Sequence, residues 1–197
     1  MPFSFKRLAI YCGSATPADP VYMDTARMVG RSLAERGIGV VYGGGRLGLM
    51  GAVADACMAA GGEVIGVIPE ALCAKEVRND FCTDLHIVAG MHERKKMFTD
   101  LADGFVTLPG GVGTMDELWE AISWAQLGYH EDPVGVLNVG GFYDHLIAFN
   151  RTMIDTGFIR DAHKGIMIVD DTLDGLLAKM AAYEPHQTIF RMKAADL

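Results

Sequence analysis

Short apolar runs alternate along the chain with longer stretches in which apolar residues recur every three or four positions. RLAIYCGS (7–14), VVYGGG (40–45), EVIGVIP (63–69), DLHIVAG (84–90), GFVTLPG (104–110), PVGVLN (133–138) and GIMIVD (165–170) read as strands. Between them, a helix runs from Asp19-Pro20, an N-cap and a first-turn proline, to about Arg36. LMGAVADACMAAG follows with helical spacing and a glycine stop. HERKKMFTDLADG (92–104), TMDELWEAISWAQLG (114–128), YDHLIAFNRTMIDTG (143–157) and TLDGLLAKMAAY (172–183) continue the series. Such alternation predicts an α/β fold, a doubly wound parallel sheet with helices on both faces. The strands are apolar on nearly every residue, as a sheet covered on both sides requires. Residues 1–183 are expected to form a single domain. From Glu184 to Leu197 the pattern dissolves into a docked or mobile tail.

In open α/β sheets, ligands sit beyond the carboxyl ends of the strands. Four such ends here are Gly13-Ser14, Gly43-Gly44-Gly45, Pro69-Glu70 and Pro109-Gly110-Gly111. Composition narrows what could bind there. A formal net charge of −8 over 197 residues argues against wholesale electrostatic binding to nucleic acid or an anionic membrane, but leaves room for a small anion in a local basic pocket. No apolar run is long enough to span a bilayer, and the start, MPFSFKRLAIYCGS, does not read as a signal peptide. Cys12, Cys57, Cys73 and Cys82 show no metal or disulfide spacing. They read as buried free thiols in a reducing cytoplasm. The six histidines lack paired-ligand spacing, and no metal is expected.

Three stretches carry candidate chemistry. In GGGRLGLMG, residues Gly43, Gly45 and Gly48 satisfy GxGxxG, with Glu70 near the acidic position of a dinucleotide fingerprint. The motif follows the second strand rather than the first, and a tight strand-to-helix turn accounts for it. LPGGVGTMDELWE (108–120) fails that fingerprint, since Asp116 stands where the third glycine belongs, and it lacks the GK[ST] of a P-loop. What remains is a glycine loop feeding a helix, whose free amides and dipole suit one phosphate. Thr114 and Glu117 also make a T-x-x-E capping box, with Thr114 as cap. A carboxylate in a helix's first turn is held ionised, which suits a base or a partner for a cationic transition state. In MHERKKM (91–97), Arg94, Lys95 and Lys96 crowd a helix start against the dipole. That pattern fits an anionic ligand or a solvated charged face balanced by Glu93 and Asp100.

PGGVGTMDE matches PGGxGTxxE, and MHERK lies upstream. Together with GSATP, VYGGGRLGLMG, GVIPEAL, AKEV, ISWAQLGYH and PVGVLNVGGFYDHL, the chain from about residue 7 to 180 resembles the Lonely Guy family. These are cytokinin-activating phosphoribohydrolases, often labelled lysine decarboxylases. The resemblance implies a Rossmann-like homodimer, with no cofactor, that hydrolyses the N-glycosidic bond of a nucleoside 5′-monophosphate to an adenine-type base and ribose 5-phosphate. It places the catalytic pair on Arg94 and Glu117, and further substrate contacts on Glu76, Lys95, the loop Gly110, Gly111, Val112, Gly113 and Thr114, and Ser123. The family more often has threonine where Ser123 stands, and the hydroxyl is kept.

Other readings stay open. Hydrolysis of unmodified AMP is one, and a non-catalytic nucleotide or cofactor carrier is another. A lysine decarboxylase would need pyridoxal phosphate on a lysine, and no lysine stands out in such a setting. Trp119, Trp124 and Leu127 on helix 114–128 could line a base pocket, or serve as core or dimer contacts.

Overall fold

The computed structural model describes residues 5–74 and 78–186. Seven strands form one parallel sheet: β1 (Arg7–Tyr11), β2 (Gly39–Tyr42), β3 (Val64–Pro69), β4 (Asp84–Val88), β5 (Phe105–Thr107), β6 (Val134–Leu137) and β7 (Met167–Asp170). Their spatial order is β4-β3-β2-β1-β5-β6-β7. The helices are α1 (Pro20–Glu35), α2 (Gly48–Ala59), α3 (Met91–Leu101), α4 (Val112–Leu127), α5 (Asp144–Asp155) and α6 (Leu173–Ala181). This is the expected doubly wound α/β fold. The chain builds outward from β1 to the β4 edge, then α3 carries it back across the sheet to β5. Strand order therefore reverses between β1 and β5, and a crevice opens at their carboxyl ends.

Local signals act as the pattern suggests. Asp19 Oδ1 accepts from Val21 N at 2.9 Å, and Pro20 opens α1. Alternate strand residues face opposite layers. Leu8, Ile10, Val40, Tyr42 and Val106 pack beneath α1, α2 and α6; Ala9, Tyr11, Val41, Ile65 and Phe105 pack beneath α3 and α4. β2 and β3 are buried throughout, whereas the edge strand β4 is half exposed, with Ile87 in the open. No helix among the described residues is long and apolar enough to cross a membrane.

At the C-terminal end of α4 sits a histidine cluster. His130 Nε2 donates to Ala121 O (2.9 Å) and its Nδ1 accepts from Asp132 N (3.2 Å), which defines a neutral tautomer. His186 Nδ1 pairs with Tyr183 OH at 2.8 Å, its Nε2 meets Ala125 O at 3.0 Å, and its ring packs edge-on against His163. The start of the expected tail is thus docked on α4; residues 187–197 lie outside the described residues.

Burial holds His130 down to about 4 and pushes Asp132 up to about 6, with Asp103 and Glu131 adding to the latter. His186 is lowered as well, again by burial. The signs oppose. The depressed histidines make the fold lose stability as pH falls below their unfolded value of 6.5, for His130 down to about 4. The raised Asp132 makes the fold lose stability as pH rises from 3.8 to about 6. Asp132→Asn removes only the second contribution. The variant is expected to be more stable at pH 7 and to lose stability more steeply between pH 6.5 and 4. Urea midpoints across that range decide it, and parallel curves for the two proteins would refute the assignment.

Candidate active site

The crevice between β1 and β5 holds a cavity of about 200 Å³ lined by residues from five segments. β1 and its end contribute Ile10, Cys12, Gly13 and Ser14; the end of β2 contributes Gly43; α2 adds Met50, and α3 adds Arg94. Gly111, Val112, Gly113, Thr114 and Glu117 complete it from the loop and start of α4.

α4 begins at Val112 with Gly111 as its N-cap, and no side chain caps it. The capping box is therefore not formed. Thr114 is the third residue inside the helix and is buried, and Glu117 lies in the second turn. The helix extends three residues further toward the glycines than T-x-x-E suggested, because Gly111 rather than Thr114 takes the extended cap conformation (φ −97°, ψ −152°). Two consequences follow. Val112, Gly113 and Thr114 of the first turn line the cavity, where uncapped amides can receive an anion. Glu117 receives its setting from the cavity wall rather than from a first-turn position.

The loop is tightly held. A Cβ on Gly110 would lie 2.1 Å from Thr114 Oγ1 and 2.9 Å from Gly13 N. Gly110 is therefore the residue that lets the loop, Thr114 and the end of β1 close up. Gly13 N donates to Pro109 O at 3.1 Å. Gly111 and Gly113 face open space.

Arg94 is buried, 4% exposed, although α3 starts only three residues earlier. Its Nε donates to Val67 O (3.1 Å) and its Nη2 to Gly43 O (2.9 Å), while the guanidinium lies 5.7 Å from the Phe98 ring centre. A buried guanidinium fixed by backbone carbonyls of β3 and of the loop after β2 is a preorganised cation. Gly43 makes room for it: a Cβ there would sit 2.1 Å from Arg94 Nη2. Asn79 backs the same loop, its N donating to Gly44 O at 2.8 Å and its Nδ2 to the Tyr42 hydroxyl at 3.0 Å.

The charge run of α3 splits three ways. Arg94 enters the cavity. Lys95 Nζ pairs with Asp116 Oδ2 (2.9 Å) and with Glu120 on α4. Burial works to lower its pKa, but the hydrogen bonds and charges of Asp116 and Glu120 outweigh it and hold the ammonium above its usual value. Lys95 thus clamps α3 to α4 and is absent from the cavity lining. Lys96 pairs with Asp100 on the surface. Ser123 is exposed on the outer face of α4, in an open groove with His92, Val112, Met115, Trp119 and Trp124. The two tryptophans line that groove, not the Arg94 cavity. Glu76 lies outside the described residues.

GGGRLGLMG is a tight strand-to-helix turn. Leu49 N and Met50 N point at Gly13 O (3.0 and 3.4 Å), so the β1 loop occupies the N-terminus of α2. Gly48 takes φ 57°, and a Cβ there would lie 2.3 Å from Ala15 O. No room remains for a pyrophosphate. Sequence patterning put Gly13, Ser14 and Gly43 at ligand-facing strand ends, but did not reveal Gly43 as the seat of Arg94, nor Cys12 and Met50 as lining. The available signal was the glycine-rich ends of β1 and β2. Burial, with Glu117 adding, pushes the Cys12 thiol up, so it stays protonated and supplies no nucleophile.

Comparison with known proteins places this geometry. The family model "Possible lysine decarboxylase" matches residues 50–180. The cytokinin riboside 5′-monophosphate phosphoribohydrolase LOG of Oryza sativa subsp. japonica is 45% identical over 185 residues, 94% of this chain and 76% of that protein. LOG1 of Arabidopsis thaliana is 39% identical, over 98% of this chain and 91% of its own. The chain belongs to the Lonely Guy family of phosphoribohydrolases. Solved structures show the same fold. TM1055 superposes with a TM-score of 0.69 at 24% identity, covering 90% of this chain and 99% of that one. The molybdenum cofactor carrier protein of Chlamydomonas reinhardtii does so with 0.64 at 19%, covering 87% and 93%. Pyridoxal phosphate needs a lysine to hold it, and among the described residues no lysine lines the cavity.

Proposed function

We propose that the chain hydrolyses the N-glycosidic bond of a nucleoside 5′-monophosphate, with N6-prenylated adenosine monophosphate as the preferred class and AMP as the alternative. The free base and ribose 5-phosphate are the products. The observation that carries this reading is one cavity in which the uncapped start of α4, buried Arg94 and Glu117 meet. The relatives' activity supports it.

In this reading the 5′-phosphate takes the amides of Gly111 to Thr114, with Gly110 letting the loop close behind it. The ribose lies toward Glu117. As the bond to the base breaks, positive charge develops on the ribose ring. The Glu117 carboxylate stabilises that charge and directs water to the anomeric carbon. The C–N bond to the base breaks, a C–O bond forms between water and the anomeric carbon, and the water's proton passes by way of the Glu117 carboxylate to the leaving base. Arg94, immobilised by Val67 O and Gly43 O, orients the ribose phosphate and Glu117. Lys95 adds its charge from the flank, and family resemblance alone assigns a substrate contact to Glu76.

Ser123 lies outside the cavity of its own chain. We assign it to a site completed across a homodimer. The open groove beside it, with half-exposed tryptophans and Val112 87% exposed, supplies the apolar contact surface. Four free cysteines suit a reducing compartment, the cytoplasm. The net charge of −8 favours a small-molecule partner over nucleic acid or an anionic membrane.

A panel of AMP, N6-isopentenyl-AMP, other 5′-monophosphates and adenosine tests the reading by chromatography of released base. Base is expected from the adenine monophosphates, with adenosine at least about 100-fold poorer in kcat/KM, since the loop's contribution to binding is lost. No base from any monophosphate would refute the function.

A further inference from the structure

We infer that Tyr143 is a positioning residue for the phosphate loop, acting through the carbonyl of Leu108. This rests on the reading that Gly111 to Thr114 bind a phosphate. Tyr143 is 2% exposed, just before α5, and its hydroxyl donates to Leu108 O at 2.7 Å. Leu108 is where β5 has ended and the loop begins. Its own N still donates to Tyr11 O (2.8 Å), so one side of the peptide is tied to β1 and the other to Tyr143. Pro109 follows, which confines Leu108 to extended conformations. Fixing the Leu108 carbonyl therefore sets the direction in which Pro109, Gly110 and Gly111 leave the sheet. Gly111, three residues after Leu108, is the N-cap of α4.

Tyr143 is itself braced. Its N donates to Asn138 Oδ1 at 2.8 Å, and Asn138 Nδ2 donates to Asp144 Oδ1 at 2.9 Å. Asn138 ends β6, and its N reaches Asp170 O at the end of β7 (2.9 Å). The ring of Phe142 stacks edge-on against Tyr143 at 4.8 Å and meets Tyr22 of α1 at 5.6 Å. The stretch NVGGFYD thus ties the ends of β6 and β7 to the loop after β5. Burial pushes the phenol's pKa up, so it remains a donor throughout the working pH range. The core would accept phenylalanine at 143 equally well; the hydroxyl is what the loop requires. Tyr143 lines neither the cavity nor the Ser123 groove, so its effect reaches the ligand only through the backbone.

Tyr143→Phe keeps the ring and removes the donor, and Asn138→Ala loosens the brace. Both are to be compared with wild type for kcat, KM, melting temperature, and competitive inhibition by ribose 5-phosphate and inorganic phosphate. For Tyr143→Phe, KM and both inhibition constants are expected to rise together by about five- to tenfold, the loss of roughly one hydrogen bond's worth of positioning. kcat is expected to change less than about threefold, and Asn138→Ala to shift the same constants in the same direction. A lowered melting temperature with unchanged KM and inhibition constants would make Tyr143 merely structural and overturn the inference, as would failure of both variants to fold. Absence of inhibition by either phosphate in wild type overturns the phosphate-loop reading, and this inference with it.

Discussion

Glu117→Gln is expected to lower kcat by about 10³-fold, within the span of an acid–base group, while nucleotide affinity changes by no more than about threefold. Glu117 is half-buried in the second turn of α4 and shares the cavity with Arg94 and the loop amides. Glutamine keeps its size and can still hydrogen-bond, but carries no charge. In the proposed reading the backbone anion site is untouched, and what is lost is the carboxylate facing the developing ribose cation, an interaction made only in the transition state. Single-turnover base release, beside calorimetric binding of AMP, reads the two quantities separately. A carrier would bind equally well in both forms and turn over neither. Retention of wild-type kcat would remove Glu117 from the chemistry.

Arg94→Lys is expected to lower kcat/KM by about 100-fold. Lysine keeps the charge but cannot reproduce the planar fork that reaches Val67 O and Gly43 O together. Two buried backbone carbonyls would then share one mobile ammonium, at a stability cost of about 1–3 kcal/mol. A second route reaches the same point without changing any charge. Gly43→Ala places a methyl 2.1 Å from Nη2 in the present arrangement and must drive the guanidinium from its seat. Steady-state kinetics on both variants, with melting temperatures to confirm folding, check the claim. If Gly43→Ala retains full activity, the docked position of Arg94 is not the working one.

Part of the cavity lining was legible from residue order alone. PGGVGT before a helix read as an anion cradle, and Arg94, Lys95 and Lys96 together read as cations against the helix dipole; only the family resemblance singled out Arg94. The capping-box reading of Thr114 and Glu117 went astray because T-x-x-E marks a helix start only if the chain enters helix at Thr114. The exposed glycines at 111 and 113 carry no side chain that says otherwise, and the helix starts earlier. Likewise, Arg94, Lys95 and Lys96 are adjacent in sequence but roughly 100° apart around the helix, so each meets a different environment. One is buried on carbonyls, one is clamped by α4 carboxylates and one is solvated.

Hydrophobic periodicity determined the seven strands and six helices of the described residues and their layering, because burying an apolar face is a local requirement repeated in every element. It also placed the glycine-rich turns at the carboxyl ends of strands. Strand order lay beyond its reach. Only the tertiary structure set β1 beside β5, and with it the crevice that brings residues 13, 43, 94 and 117 around one cavity. Only it showed that the glycines after β2 hold an arginine rather than a pyrophosphate. Such contacts join residues dozens of positions apart, and they depend on which helix crosses over which strand rather than on any local preference.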